Sequence, residues 1–389
     1  MLFRTFNEVN KESQLFAYQH AEVWNLFVPV DVDSGFSIGQ VSKAINGKEY
    51  LYEKENFIHP PDLYVGYGEP RIPPGDVEKI STFVVSRNKL SSINPQQSNY
   101  LWGTAELVHW KTFEKKEATG ILYKPENFDP SKKYPMIINF YEKRSDSINY
   151  YIAPTPTNSR LNITFFVSRG YLVFTPDISY TIGHPGQSAY DFIVSGAQWL
   201  AKNKWVDAKN IGIQGQSWGG YQVAYLITKT NMFKAAWAGA PVVNMFSSYG
   251  GIRWESGVSR QSQYEKGQSR IGATPWELPE LYIENSPLFH LDKVTTPLVI
   301  MSNDGDGAVP WYQGIEFFTA MRRLGKKIWM LNYNGEEHRP VERKNRKDLQ
   351  IRQQQYFDWL LKGEKPAKWI MEGVPAVKKG KESGLEIVD

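Results

Sequence analysis

Three times the chain spells Gly-Gln-Ser, ending at Ser188, Ser217 and Ser269, and only the middle copy continues as G-x-S-x-G, in Gly215-Gln216-Ser217-Trp218-Gly219. A serine hydroxyl is a weak nucleophile until a base takes its proton and an acid holds that base in the right tautomer. Both partners occur downstream. Asp304 and Asp306 stand in SNDGDGAVP, and His338 ends YNGEEH. A serine, an acid and a histidine in that order can carry acyl transfer through a covalent intermediate, provided the fold brings them together.

The elements around them are arranged to do so. The order strand (NIGIQ), then GQSWGG, then helix (YQVAYLITKT) is that of a nucleophile elbow, with the serine on a tight turn at the carboxyl edge of a sheet. A Cβ at Gly215 or Gly219 would crowd the strand–helix approach, and the helix N-terminus puts partial positive charge where an oxyanion forms. Asp304 and Asp306 follow the strand Leu298–Met301, and His338 follows the strand Ile328–Asn332. Of the other histidines, His20 and His59 lie in a β-rich leader, His109 comes too early, and His184 and His290 precede elements rather than follow the right one. Ser188 reads as a cap or turn residue, and Ser269 has no strand before it.

From Tyr134 onward short apolar runs (Met136–Phe140, Tyr171–Thr175, Ile211–Gln214, Ala235–Ala238, Leu298–Met301) lack in–out alternation, as strands covered on both faces do. Between them run helical stripes at Ala189, Ile193, Ala197 and Leu200, at Phe317, Met321 and Leu324, and at Leu349, Tyr356 and Leu360. The alternation predicts an α/β domain with a mostly parallel sheet over residues 101–366. Residues 1–100 read as β-rich, with Leu26–Val30, Tyr50–Tyr52 and Phe83–Val85 divided by turn clusters such as HPPDL and EPRIPPG; residues 367–389 read as an extended polar tail.

Composition narrows the classes. With 389 residues the chain suffices for one large or two ordinary domains, and the absence of cysteine removes disulfides, thiolate metal sites and a cysteine nucleophile. A net charge of +4, with its basic run confined to Lys378–Lys381, argues against nucleic acid as a partner. No apolar run reaches the ~18 residues of a membrane span, and MLFRTFNEVNKESQ lacks a secretory-signal pattern. GEEH offers Glu336, Glu337 and His338, yet no H-E-x-x-H places two histidines on one helical face, so neither metal nor cofactor is called for.

Together GQSWGGYQ, DGAVP and NGEEH resemble the elbow G-x-S-x-G-G-Y, the acid loop D-x-x-V and the histidine loop of the prolyl oligopeptidase family of serine peptidases, over about Glu106 to Lys365. The resemblance implies an α/β-hydrolase fold, doubly wound on its mostly parallel sheet, with Ser217 as nucleophile, His338 as base and Asp306 as orienting acid, leaving Asp304 to cap the turn. It implies an oxyanion site made of the Tyr141 hydroxyl and the Trp218 backbone N–H, although Glu142-Lys143 replace the usual Gly-Pro after that tyrosine. Val242, Met245, Tyr249 and Val309 would wall an apolar S1 pocket; plain core packing explains them equally well.

The resemblance also makes residues 1–100 the end of a β-propeller, hence the chain a fragment of a longer protein rather than a short form with its own lid. The expected partners are a peptide substrate and the remaining propeller portion, and a homo-oligomer is compatible with both. The compartment stays open; a periplasmic or secreted parent is what related bacterial peptidases imply. Two departures, Ala308 where dipeptidyl peptidases often carry Asn and Asp177-Ile178-Ser179-Tyr180 where Asp-x-Arg-Gly is usual, weigh against a dipeptidyl habit. A carboxylesterase on the same triad and an inactive hydrolase fold kept for binding are the rival readings.

Overall fold

The computed structural model describes residues 1–20, 25–71 and 82–389. The chain divides into two compact units, residues 1–107 with 145–153, and residues 108–144 with 154–389. Residues 145–153, which lie within the stretch of strand–helix alternation, cluster with the first unit.

The first unit holds two small antiparallel sheets: β1 (Leu2–Phe6), β2 (Ser13–His20) and β3 (Asn25–Asp31), then β4 (Ser37–Lys43), β5 (Tyr50–Glu55), β6 (Asp62–Arg71) and β7 (Thr82–Lys89). Most of the turn read in EPRIPPG lies outside the described residues. Leu15, Ala17, Val30, Ile38, Tyr50 and Tyr52 form the core. In β5 the inward row continues to Lys54, whose buried ammonium sits 2.9 Å from the Asp31 carboxylate and 2.6 Å from that of Asp33. The Tyr52 hydroxyl donates to Asp31 at 2.7 Å. A buried charge persists when it is paired and hydrogen-bonded in this way. Residues 145–153 join this unit through Tyr151, which stacks on Trp102 at 5.3 Å and donates its N–H to Glu55 at 3.0 Å.

The second unit is built on eight strands: β8 (Thr104–Lys111), β9 (Glu117–Lys124), β10 (Tyr134–Asn139), β11 (Leu172–Pro176), β12 (Val206–Gln216), β13 (Ala235–Gly239), β16 (Leu298–Met301) and β17 (Ile328–Leu331), with a minor hairpin, β14 (Ile252–Arg253) and β15 (Val258–Ser259), outside the sheet. Their order is β17-β16-β13-β12-β10-β11-β9-β8. Every pair from β17 to β11 is parallel, and β9 runs antiparallel to β11. Met136–Ile138, Leu172–Phe174 and Leu298–Met301 are all buried, as strands covered on both faces require. From β10 the chain goes to β11 on one side and then crosses to β12 on the other. That reversal opens a crevice at the strands' carboxyl ends, where ligands of such sheets bind.

The helices are α1 (Ile163–Ser168), α2 (Pro185–Leu200), α3 (Trp218–Lys229), α4 (Met245–Tyr249), α5 (Gln261–Glu265), α6 (Pro279–Glu284), α7 (Tyr312–Arg323), α8 (Arg343–Phe357) and α9 (Lys368–Met371). The stripe Ala189, Ile193, Ala197 and Leu200 is buried as expected. In α7 Phe317 and Met321 are buried, whereas Leu324, which the same periodicity assigned to the core, follows the helix and is 46% exposed. After α8 the chain makes a π-helical turn over Asp358–Lys362. The wider turn shifts the stripe by one residue, so Leu361 rather than Leu360 is fully buried.

Residues 367–389 depart from the expected extended tail. Trp369 and Ile370 in α9 are buried, the Trp369 indole donates to Gln355 at 2.8 Å, and Arg352 donates to the Ser383 carbonyl at 2.7 Å. Two large apolar side chains in a polar stretch are enough to fold it back. Among the described residues, no helix is long and apolar enough to cross a membrane.

Candidate active site

Ser217 joins β12 to α3 with φ 61° and ψ −115°. A non-glycine residue there costs about 1–3 kcal/mol and persists only where its surroundings over-determine it. They do: the Ser217 N–H donates to the Gly239 carbonyl at 2.7 Å. A Cβ on Gly215 would lie 2.3 Å from the Gly219 carbonyl oxygen, and one on Gly219 would lie 2.6 Å from the carbonyl oxygen of Phe140. Both glycines are therefore needed for the close approach that lifts Ser217 out of the sheet. Trp218 is the first residue of α3, so its backbone N–H has no partner one turn back.

The acid loop follows β16. Asp306 is buried, and one carboxylate oxygen accepts the N–H groups of Ala308 and Val309, each at 2.8 Å. Its other oxygen meets His338 Nδ1 at 2.8 Å. A carboxylate can only accept, so this contact puts the imidazole proton on Nδ1 and leaves Nε2 as the acceptor. Asp304 has a different place: it accepts from the Asn334 amide at 2.6 Å and the Gly335 N–H at 2.8 Å, bracing the turn that leads to His338.

Several residues that hold this loop have no spacing signature. The Asn303 amide donates to the Glu337 carbonyl at 2.8 Å, and the Gln216 amide donates to the His338 carbonyl at 2.9 Å. The buried Arg260 guanidinium holds the Ala308 carbonyl. Glu336 accepts from the N–H groups of Val341 at 2.7 Å and Glu342 at 3.1 Å and from the Asn345 amide at 2.5 Å, tying the loop to the start of α8. Burial alone would raise the Glu336 pKa, but these donors outweigh it and hold the carboxyl below its ordinary value.

A depressed folded-state pKa means stability that is fully present above the unfolded value and lost as pH falls through the folded one. Glu336→Gln is therefore expected to cost about 1 kcal/mol at neutral pH, by leaving partly buried N–H groups short of an acceptor. In thermal melts from pH 7 down through about pH 4, the variant is expected to lose less stability with acid than the wild type. Parallel curves would show that Glu336 contributes nothing to the acid sensitivity.

Tyr141 stands just past β10. Its hydroxyl accepts from the Gln268 amide at 3.0 Å, which leaves its own proton to be donated elsewhere. Its carbonyl accepts from the Gln222 amide at 2.8 Å and the Tyr180 hydroxyl at 3.2 Å. The Trp218 indole donates to Tyr180 at 3.0 Å. Gln268 belongs to the third Gly-Gln-Ser, so that copy touches the site through its glutamine. Ser188, in the first copy, accepts from the Thr181 N–H at 2.9 Å and donates to the His184 carbonyl at 2.8 Å, a turn role.

Val242, Met245, Tyr249 and Val309 pack into one apolar cluster with Trp218, and Tyr141 and Phe246 lie against it. Met245 is completely covered, and Val242, Tyr249 and Val309 keep 5%, 4% and 7% of their surfaces exposed. Phe246 is partly buried against the same cluster.

A mostly parallel sheet with this strand order, a serine elbow after its central β12 and helices on both faces is an α/β-hydrolase. Residues 157–364, more than half of the chain and a span that holds Ser217, Asp306 and His338, match the prolyl oligopeptidase family. The chain belongs to that family of serine peptidases. It is similar to dipeptidyl-peptidase 5 of Porphyromonas endodontalis, 26% identical over 341 residues that make up 81% of this chain and 44% of that protein. It is 31% identical to human dipeptidyl peptidase 8 over 137 residues, 32% of this chain and 15% of that one. Among solved structures it is similar in fold to the Pyrococcus horikoshii acylaminoacyl peptidase, with TM-score 0.69 at 17% identity, covering 99% of this chain and 56% of that chain. The chain thus spans about half the length of such relatives.

Proposed function

We propose that the chain is a serine peptidase that cleaves short peptides through Ser217, His338 and Asp306 and an acyl-enzyme intermediate. The observation that carries the reading is the Asp306–His338 Nδ1 contact at 2.8 Å, in a loop whose His338 carbonyl accepts from Gln216, the residue before a serine held at φ 61°. In this mechanism His338 Nε2 takes the Ser217 hydroxyl proton as Oγ attacks the scissile carbonyl carbon. The oxyanion that forms is held by the Trp218 N–H and the Tyr141 hydroxyl. Collapse breaks the C–N bond, and His338 returns the proton to the leaving amine. Water then enters by the same route and releases the acid, restoring Ser217.

The apolar wall of Val242, Met245, Tyr249 and Val309 suits an uncharged side chain on the acyl side of the bond. Relatives named for dipeptidyl and acylaminoacyl release frame the substrate choice. Ala308 removes the amide that a dipeptidyl habit often uses, which favours acyl-blocked or internal bonds.

Hydrolysis of paired peptide-amide and ester substrates with the same acyl group tests the reading. A peptidase gives turnover on both, with an acyl-enzyme burst on the ester; turnover of esters alone would assign a carboxylesterase. Tyr141→Phe is expected to lower kcat on the amide by about 10²–10³, corresponding to ~2.7–4 kcal/mol of lost oxyanion stabilisation, with KM little changed. An unchanged kcat would remove Tyr141 from the oxyanion site.

A further inference from the structure

Three non-glycine residues with positive φ meet around Gly239: Ser159 at 84°, Ser217 at 61° and Ala240 at 42°. Such residues persist only where their surroundings hold them, and they gather at functional sites. Ser217 is the elbow serine, and Ala240 follows Gly239, whose carbonyl takes the Ser217 N–H at 2.7 Å. Ser159 lies outside the triad and the oxyanion site, yet it is completely buried and its segment is pinned from several sides. The Gln214 amide donates to the Ser159 carbonyl at 2.8 Å, and the Thr157 hydroxyl donates to the Arg160 carbonyl. The Arg346 guanidinium of α8 holds the Pro156 carbonyl with two nitrogens, at 3.0 and 2.6 Å.

The Ser159 hydroxyl donates to Oε1 of Gln216, and Nε2 of Gln216 donates to the His338 carbonyl at 2.9 Å. Gln216 precedes Ser217 in the chain, so this one side chain ties the loop of the base to the strand of the nucleophile. Its orientation is fixed by its neighbours. The His338 carbonyl only accepts, so Nε2 must face it and Oε1 must face Ser159, whose hydroxyl has a proton to give. Without that donor the amide is free to turn over and present Oε1 to the His338 carbonyl, acceptor against acceptor. Gly239 supplies the room: a Cβ there would collide with both Gln216 Oε1 and Ser159 Oγ. A buried polar chain is rigid when every member is satisfied and loosens when one is missing.

We propose that Ser159 is a positioning residue for His338. It sets the Gln216 amide, and the amide holds the loop of the base where proton transfer with Ser217 needs it. The inference rests on the peptidase reading and deepens it, since Ser159 acts through Gln216 and not on the reacting atoms.

Ser159→Gly and Ser159→Ala both delete the hydroxyl, but glycine also relieves the φ of 84° whereas alanine keeps it. The glycine variant is expected to be the more stable of the two, while kcat on an amide substrate falls about 10–100-fold in both with KM little changed. A role confined to stability would instead order the two rates as it orders the two melting temperatures. Gln216→Met removes the other end of the relay and is expected to cost at least as much. Combined with Ser159→Gly it should cost no more than it does alone, because both changes break one connection.

A second readout needs no turnover. The His338 Nδ1 proton, bonded to Asp306, resonates far downfield of the backbone amides and is assigned by its loss in His338→Ala. In both Ser159 variants it is expected to shift and to exchange faster with water. An unmoved resonance, an unchanged kcat, or losses that multiply in the double variant overturns the role. A wild type that shows the resonance but hydrolyses neither amide nor ester sinks the peptidase reading instead, and the resonance alone then decides Ser159.

Discussion

Replacing Ser217 by alanine is expected to lower kcat by about a millionfold, the scale on which loss of a serine nucleophile acts when base and acid have nothing left to activate. The fold should survive, because the conformation at this position is set by the β12–α3 junction and by the Ser217 N–H to Gly239 bond, not by the hydroxyl. Alanine keeps the strain of φ 61°. Ser217→Gly removes it and is expected to be more stable than the wild type by about 1 kcal/mol while equally inactive. A glycine variant less stable than the alanine variant would mean that the elbow is not strained. Residual turnover near the wild-type level in either variant would remove Ser217 from the chemistry.

The second large effect separates two acids that are neighbours in sequence. Asp306→Asn is expected to lower kcat by about 10⁴, because an amide in place of the carboxylate that meets Nδ1 allows the imidazole to hold its proton on the wrong nitrogen. Asp304→Asn keeps one acceptor for the Asn334 and Gly335 donors, so it is expected to cost about 1 kcal/mol of stability and less than about tenfold in kcat. Steady-state kinetics on the two variants decide the assignment. Reversed magnitudes would make Asp304 the orienting acid and Asp306 the brace.

Much of this was legible because each member of the proposed triad follows a strand whose apolar run has a length and composition of its own. That rule singled out Ser217 and His338 and narrowed the acid to Asp304 or Asp306, between which the resemblance of DGAVP to the D-x-x-V loop chose, and the glycines around Ser217 announced the close approach that the carbonyl oxygens of Gly219 and Phe140 now define. What escaped the sequence is the machinery that aims them. Asn303, Gln216 and Arg260 act on backbone carbonyls of distant loops, and a contact to a carbonyl carries no residue code on its far side.

The same holds for Gln268, which lies far along the chain from Tyr141 and reaches its hydroxyl through folding. Leu360 was misplaced because a single π-helical turn changes the phase of a stripe without changing its composition. The end of the chain was misread because charge dominates its average while Trp369 and Ile370 decide its packing.

The most direct test of the central proposal is reaction of the purified chain with a fluorophosphonate, with the adduct mapped by mass spectrometry and His338→Ala treated alongside. An assembled triad predicts a single phosphonylated residue, Ser217, labelled rapidly in the wild type and slowly or not at all without His338. A folded wild-type chain in which Ser217 stays unmodified, or in which labelling is indifferent to His338, would contradict it.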